Sequence, residues 1–414
     1  MIRLLAICTE DPELILGGMG RHVRELYRAM ARRGDVEIDL LTVGPGMSAK
    51  QFEGYTKHRY SDVCPQKPPI PGIRAILQCD VQLLRYLLAL AARGKRWDLI
   101  HAHEWSSVQV AHCARDAFRV PIVSTMHLCM AALRKYDVDP NAPRGAETWD
   151  ELDLWIANQE GKLLIENSEL ILCSDSYVRI AAEFYPLNVI GKQATMIYNG
   201  IDRSEWNPDI GDGDRARSQH CLGDKRIALF VGRIATMKGI EYLLDAVEDR
   251  DVGYQIVVAG EVNADNDSAD KWHVTRRLRR MENTHRDRFR WIGFQRDRSL
   301  KDLYAAADVV VMPSTHEPFG IVALEAMACG VPLIATAVDG LGEIVRGGDS
   351  DCAQIIEPRS GKEINGALER LFSDRDRWNH LRAAGLARVA HFDWSKIADQ
   401  TVGVYKRAIQ CMHS

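Results

Sequence analysis

Short apolar runs recur along the chain, separated by stretches whose apolar residues return roughly every three to four positions. The runs read as strands buried on both faces, and the spaced stretches as helices with one apolar stripe. In the first half the strand candidates are RLLAICT, VEIDLLTV, DLIHAH, PIVSTMH, ELILCS and ATMIYN. Helices are expected between them at 19–33, 76–93, 107–118, 151–167 and 177–184. The segment YNGIDRSEWNPDIGDGDRARS then breaks the rhythm; it is rich in Asn, Asp, Gly and Pro and marks a domain boundary. After it the alternation restarts with RIALFVGR, YQIVVAGE, FRWIGF, DVVVMPS, PLIATAV and AQIIEP. The helices expected here lie near 239–248, 268–282, 299–306, 320–328 and 362–372. Such βαβα alternation predicts α/β architecture with parallel sheets covered on both faces. Two Rossmann-like, doubly wound domains follow, residues 1–198 and 199–394. A final helical pattern at about 395–414 packs on either. Residues 48–72 and 135–145 lack a period and read as loops.

The length of 414 residues and a hydrophobic share of 46% allow a core in each domain. A net charge of -4 offers no global positive field for a polyanion, so nucleic acid is not an expected partner. The 10 cysteines include no CxxC pair or zinc-like spacing, and scattered thiols fit a reducing compartment. The opening MIRLLAICTEDPE meets Glu10 and Asp11 directly after its apolar run, which reads as a first strand and not a leader. No uncharged run approaches ~20 apolar residues. These features together predict a cytoplasmic protein.

In open parallel sheets, ligands bind beyond the carboxyl ends of the strands, and the unusual residues cluster there. After DVVVMPS comes THEPFGIVALEAMACGVP, with Glu317 before a helix start and Glu325 inside the helix. Backbone N–H groups at Phe319, Gly320 and Ile321 would suit an anion or a sugar hydroxyl. Residue 325 is i+4 from Ile321 and shares that face. A helix-dipole acid followed by an ordinary helix glutamate is the other reading of the two carboxylates. In LFVGRIATMKGIEYLL, Arg233 and Lys238 flank a strand-to-helix turn. Together they can clamp a diphosphate, the arginine by paired hydrogen bonds and the lysine as a point charge. A solvated loop pair is the alternative.

With these segments in view the chain resembles the retaining glycosyltransferases of family 4, which have the GT-B fold of two Rossmann-like domains facing across a cleft. The matching segments are GGMGRHVREL, HAHEW, STMH, YNGID, VGRIATMKGIEYLL, VVAGE and EPFGIVALEAMACGVPLIATAVDGLGEIV, in the family's order over nearly the whole chain. The resemblance implies transfer of a hexosyl group, glucosyl first of all, from a nucleoside diphosphate sugar to a hydroxyl acceptor. UDP-glucose or ADP-glucose is the donor it suggests. By the same resemblance Arg233 and Lys238 neutralise the diphosphate, Glu325 takes the ribose hydroxyls, and Glu317 the sugar hydroxyls. Gly17 and Gly18 approach the phosphate where a side chain would clash, and His127 lies under the donor sugar. Gly260 and Gly293 with Phe294 lie on the loops that hold the base through backbone groups. Glu10, His103 and Glu104 become acceptor-side candidates. No metal or other cofactor is expected to be required. Leu16 stands where the longer bacterial glycogen and starch synthases carry a lysine, and Glu104 where polymer synthases carry an aspartate. Both departures leave the acceptor open among a glucan, a lipid-linked intermediate and a small cyclitol or natural-product aglycone, with residues 48–72 and 128–149 expected to decide it.

Three weaker signals remain. His101 and His103 share a strand face and, with His127, suggest a metal site or, more commonly, a polar cleft lining. GGMGRHV lacks the third glycine of a dinucleotide fingerprint at the required spacing, which argues against a dehydrogenase. The basic stretch 271–290 reads as a solvated helix face, with contact to anionic lipid as the alternative. A nucleotide-sugar epimerase of the same fold and a non-catalytic sugar-nucleotide-binding protein are the competing functions.

Overall fold

The computed structural model describes residues 1–13, 17–43, 48–59, 73–136, 151–185, 187, 194–248, 253–262, 269–347 and 350–413. Leu16, the 60–72 part of the first expected loop and nearly all of the second lie outside them. The chain forms two compact units, Met1–Gly200 with Trp394–Ser414, and Ile201–Asp393.

The first unit holds eight strands: β1 (Ile2–Cys8), β2 (Val36–Thr42), β3 (Ser48–Phe52), β4 (Tyr55–Arg59), β5 (Leu99–His103), β6 (Ile122–Met126), β7 (Glu169–Leu172) and β8 (Ala194–Met196). They form one sheet in the order β3-β4-β2-β1-β5-β6-β7-β8. Every neighbour is parallel except β3, which pairs antiparallel with β4. Its helices are α1 (Gly18–Arg33), α2 (Ile73–Ala92), α3 (Val108–Phe118), α4 (Met130–Tyr136), α5 (Glu151–Ile165) and α6 (Asp175–Phe184). Helix α1 buries Val23, Leu26, Tyr27 and Met30 at helical spacing, and Gly34 ends it in the left-handed conformation at φ 76°.

The second unit has β9 (Arg226–Val231), β10 (Tyr254–Ala259), β11 (Phe289–Trp291), β12 (Val309–Met312) and β13 (Leu333–Thr336). A small hairpin, β14 (Arg346–Gly347) and β15 (Ser350–Asp351), precedes β16 (Gln354–Ile356). The main sheet runs β11-β10-β9-β12-β13-β16, all parallel. Around it lie α7 (Gly213–His220), α8 (Ile240–Glu248), α9 (Ala269–Thr284), α10 (Asp297–Ala306) and α11 (Ile321–Ala328). The series continues with α12 (Asp339–Val345), α13 (Gly361–Ser373) and α14 (Arg375–Arg388). The last helix, α15 (Trp394–His413), belongs to the first unit, where Ala398, Val402 and Tyr405 share a core with Leu26, Tyr27 and Met30 of α1. No helix among the described residues is long and apolar enough to cross a membrane.

Two expectations change. Helix α7 lies inside the segment read as a connector, because its stability is polar. Asp212 caps it by accepting from the Arg215 amide at 3.0 Å, and Arg215 makes paired hydrogen bonds to Asp302. Only Ala216 is buried, so no apolar period exists to be read. Residues 48–59, read as part of a loop, form the β3–β4 hairpin. The expected alternation was hidden because an inward position of β4 is a lysine. Lys57 is fully buried, with its Nζ 2.8 Å from Asp11 and 2.9 Å from Glu13. Arg59 joins the same two carboxylates at 2.5 and 2.8 Å. Burial works against the Glu13 charge, but hydrogen bonds from Lys50 and Lys57 hold its carboxyl down at about 2.

Removing one partner from a buried ion network leaves the other uncompensated, at a cost of about 3–5 kcal/mol. Lys57→Ala is therefore expected to lose about that much stability in urea unfolding. Lys50→Ala, whose ammonium is half exposed, should lose less than about 1 kcal/mol. Equal losses would remove the buried network from its place in the fold.

Candidate functional site

In each sheet the strand order reverses once, and the two strands on either side of that point diverge beyond their carboxyl ends. In the second unit they are β9 and β12; in the first, β1 and β5.

Beyond β9 the chain passes Gly232 and Arg233, and Ile234 forms a parallel bridge to Val262. A single 3-10 turn, Thr236–Lys238, follows, and Gly239 then takes φ 67° before α8. A Cβ on Gly239 would sit 1.9 Å from the Pro313 carbonyl oxygen, so only glycine allows the loop after β12 to close on this turn. The Thr315 amide donates to the Met237 carbonyl at 2.8 Å. This contact places Lys238 Nζ 2.5 Å from the Glu317 carboxylate. The Glu317 amide donates to Asp339 at 2.9 Å, and His316 Nδ1 lies 2.7 Å from the same carboxylate. Arg233 is exposed and makes no ion pair among the described residues. Lys238, held by Glu317, and the exposed Arg233 thus both follow β9, where an anion would find cationic partners.

Glu325 has a different environment from Glu317. It lies inside α11, 2% exposed, and accepts from the Tyr304 hydroxyl at 2.8 Å. Gly320 caps α11 at φ 104° with no side-chain hydrogen bond. Phe319 is buried edge-on to Phe392. A Cβ on Gly260 would meet the Gly232 carbonyl oxygen at 1.8 Å, and Trp291 Nε1 donates to the Gly260 carbonyl at 2.8 Å. Gly293 is left-handed at φ 71°, and Phe294 beside it is 41% exposed.

In the first unit, Thr9 after β1 and Ser106 after β5 share a 2.7 Å hydrogen bond between hydroxyls. Glu10 accepts from the Gly17 amide at 2.5 Å, and a Cβ on Gly20 would lie 2.7 Å from that carboxylate. The paired glycines thus start α1 against an acid. Glu104, at φ 66°, turns its buried carboxylate toward the loop after β6. One oxygen accepts from the His127 and Leu128 amides, the latter at 2.7 Å. Glu160 of α5 does the same for Met130 at 2.5 Å. His127 Nε2 lies 3.1 Å from His103 Nδ1, and His103 Nε2 lies 2.6 Å from the Tyr27 hydroxyl. Burial drives His101, His103 and His127 well below the usual histidine range, so the imidazoles are neutral. Burial, and then the nearby Glu160 charge, pushes Glu104 up to about 8, while burial lifts Glu160 to about 7.

Sequence reasoning missed Tyr304, Asp339, Glu160, Asn199 and His22. His22 was the accessible one: it stands i+4 from Gly18 on α1, the face that opens the helix. The others act across strands and helices far apart in sequence, with no local signal. In the basic stretch of α9, Arg277 pairs with Asp245 and with Glu248 at 2.8 Å.

A family model described as Glycosyltransferase Family 4 matches residues 16–205, and one described as Glycosyl transferases group 1 matches residues 214–388. The chain belongs to the family 4 type of GT-B glycosyltransferase. An uncharacterized glycosyltransferase of Methanocaldococcus jannaschii is 27% identical over 99% of this chain and 100% of its own. A D-inositol 3-phosphate glycosyltransferase of Xylanimonas cellulosilytica is 29% identical over 95% of this chain and 92% of its own. Among solved structures, sucrose-phosphate synthase from Thermosynechococcus elongatus has a TM-score of 0.78 at 25% identity, covering 99% of this chain and 100% of that one. In this glycosyltransferase each matched region contains one of the two strand-end clusters.

The raised Glu104 pKa has a measurable consequence. The unfolded carboxyl ionises near 4.5 and the folded one near 8, so between those values the unfolded state binds fewer protons. Stability then falls as pH rises through that window. Glu104→Gln keeps the amide-accepting oxygen and removes the titration. Its melting temperature should decline less between pH 5 and 8 than that of the wild type, and exceed it at pH 8. Parallel pH profiles would show that Glu104 is not held neutral.

Proposed function

We propose that this glycosyltransferase is a retaining enzyme that moves a hexosyl group, glucosyl in our reading, from a nucleoside diphosphate sugar to a hydroxyl acceptor. The observation that supports the reading is the pairing of Lys238 with Glu317 beyond β9 and β12 of the second unit, with the exposed Arg233 also following β9. UDP- or ADP-glucose is the donor class it fits. The names of two relatives, a D-inositol 3-phosphate glycosyltransferase and a sucrose-phosphate synthase, add support for a small polar acceptor.

In this mechanism the acceptor oxygen bonds to the anomeric carbon on the face from which the diphosphate departs. The bond from that carbon to the diphosphate oxygen breaks, and the acceptor proton passes to the departing phosphate. No protein nucleophile is needed. Arg233 and Lys238 stabilise the charge that grows on the leaving group, the role in which fixed cations contribute most. Once a phosphate takes over Lys238, Glu317 is released to accept from sugar hydroxyls. Glu325, oriented by Tyr304, accepts from the ribose hydroxyls. His127, neutral and fixed through Glu104, offers a hydrogen bond to the sugar without competing for the phosphate. The mechanism assigns no step to a metal ion.

Lys238→Ala is expected to lower turnover by about 10²–10³-fold with an unchanged circular dichroism spectrum. The assay is a donor-by-acceptor screen read by mass spectrometry. Near-normal turnover would remove Lys238 from the chemistry. Proton NMR of the product decides the stereochemistry: an α-linked product from an α-linked donor is expected. A β-linked product would exclude retention, and a C2-inverted donor without a new glycosidic bond would make the protein an epimerase.

A further inference from the structure

We infer that His22, His103 and His127 of the first unit form a binding site for a divalent transition metal ion of the zinc class. Among the described residues this is the one group of three or more such side chains whose ligand atoms converge, all within 4.8 Å of one another. The inference does not depend on the proposed transfer reaction.

Orientation is what makes the cluster a site. Asn199 Oδ1 can only accept, so the 2.6 Å contact makes His22 Nδ1 the donor and leaves Nε2 carrying the lone pair. That Nε2 is buried and has no hydrogen-bond partner. On His103 the Tyr27 hydroxyl holds Nε2 at 2.6 Å, which leaves Nδ1 as the inner atom, 3.1 Å from His127 Nε2. The His127 backbone is itself fixed by Glu104. Metal-bound histidines commonly have their second nitrogen tied to a protein oxygen, which sets tautomer and ring direction. Here two of the three have that support before any ion arrives.

The spacing also fits. Zinc–nitrogen bonds of about 2.0–2.1 Å in a tetrahedron separate two ligand nitrogens by about 3.3 Å. His103 and His127 already stand near that distance, and the ligand atom of His22 lies within 4.8 Å of both. Three imidazoles with no carboxylate favour zinc, cobalt, nickel or copper over magnesium or calcium. Three protein ligands leave a fourth position open to a small oxygen ligand.

The test uses tag-free full-length protein stripped of metal. Titration with Co²⁺, followed by its visible ligand-field absorption, should show one ion per chain. Asn199→Ala should weaken binding about 10–100-fold. His22→Ala and His127→Ala should each weaken it more, while His285→Ala, in the second unit, leaves it unchanged. X-ray absorption on the unaltered protein loaded with one equivalent of Zn²⁺ needs no variant and should report three imidazole nitrogens at about 2.0 Å. Absence of saturable binding, binding that survives loss of both His22 and His127, or sulfur ligation from one of the free cysteines would each overturn the inference.

Discussion

A parallel strand can be followed only by a crossover, and where the strand order reverses, two neighbouring strands send their crossovers in opposite directions. The ends between them are left uncovered. Lys238, Glu317, Glu10, His103 and Glu104 all lie at or next to that place in one sheet or the other. Beyond β9 and β12 the gap is narrowed by a single steric fact, the left-handed Gly239 under the Pro313 carbonyl. Lys238 and Glu317 are 79 residues apart in sequence and meet because of it. Beyond β1 and β5 the same topology gathers Glu10, the 17–18 glycines, His103 and Glu104.

The two places are built from opposite electrostatics. Arg233 is exposed and unpaired by any described acid, and Lys238 keeps partial contact with solvent. The first-unit cluster is buried, and burial strips its histidines and Glu104 of charge. A buried neutral imidazole or carboxyl costs far less than its charged form, provided each polar atom finds a partner. Most here do: Tyr27, Tyr405, Thr125 and Asn199 absorb the histidine nitrogens. The result is a buried, neutral cluster whose hydrogen-bond directions are set by its partners.

The legible part of this molecule was the part that follows local rules. Alternating runs and helical stripes located most of the long elements, α14 (Arg375–Arg388) excepted, because an apolar period is a property of consecutive residues. Arg233, Lys238, Glu317 and Glu325 were legible because each lies next to a strand end or on a helix that the same period locates. What escaped was polar structure. Helix α7 is held by a cap and a bidentate arginine, so it carries no stripe. Strand β4 hides its alternation behind a buried lysine whose counter-ions come from the loop after β1. Tyr304 and Asp339 depend on packing between elements, which no window of sequence contains.

The same distinction explains why the donor half of the function is better specified than the acceptor half. A diphosphate presents fixed, strong charges, so the residues that meet it must be cations at a strand or helix end, a combination rare enough to read. A hydroxyl acceptor presents weak, reorientable groups that many side chains and backbone amides satisfy equally well. Selecting among such acceptors requires shape, which no short window of sequence encodes. Charge complementarity can therefore be read from a few consecutive residues, while complementarity of shape to an acceptor cannot.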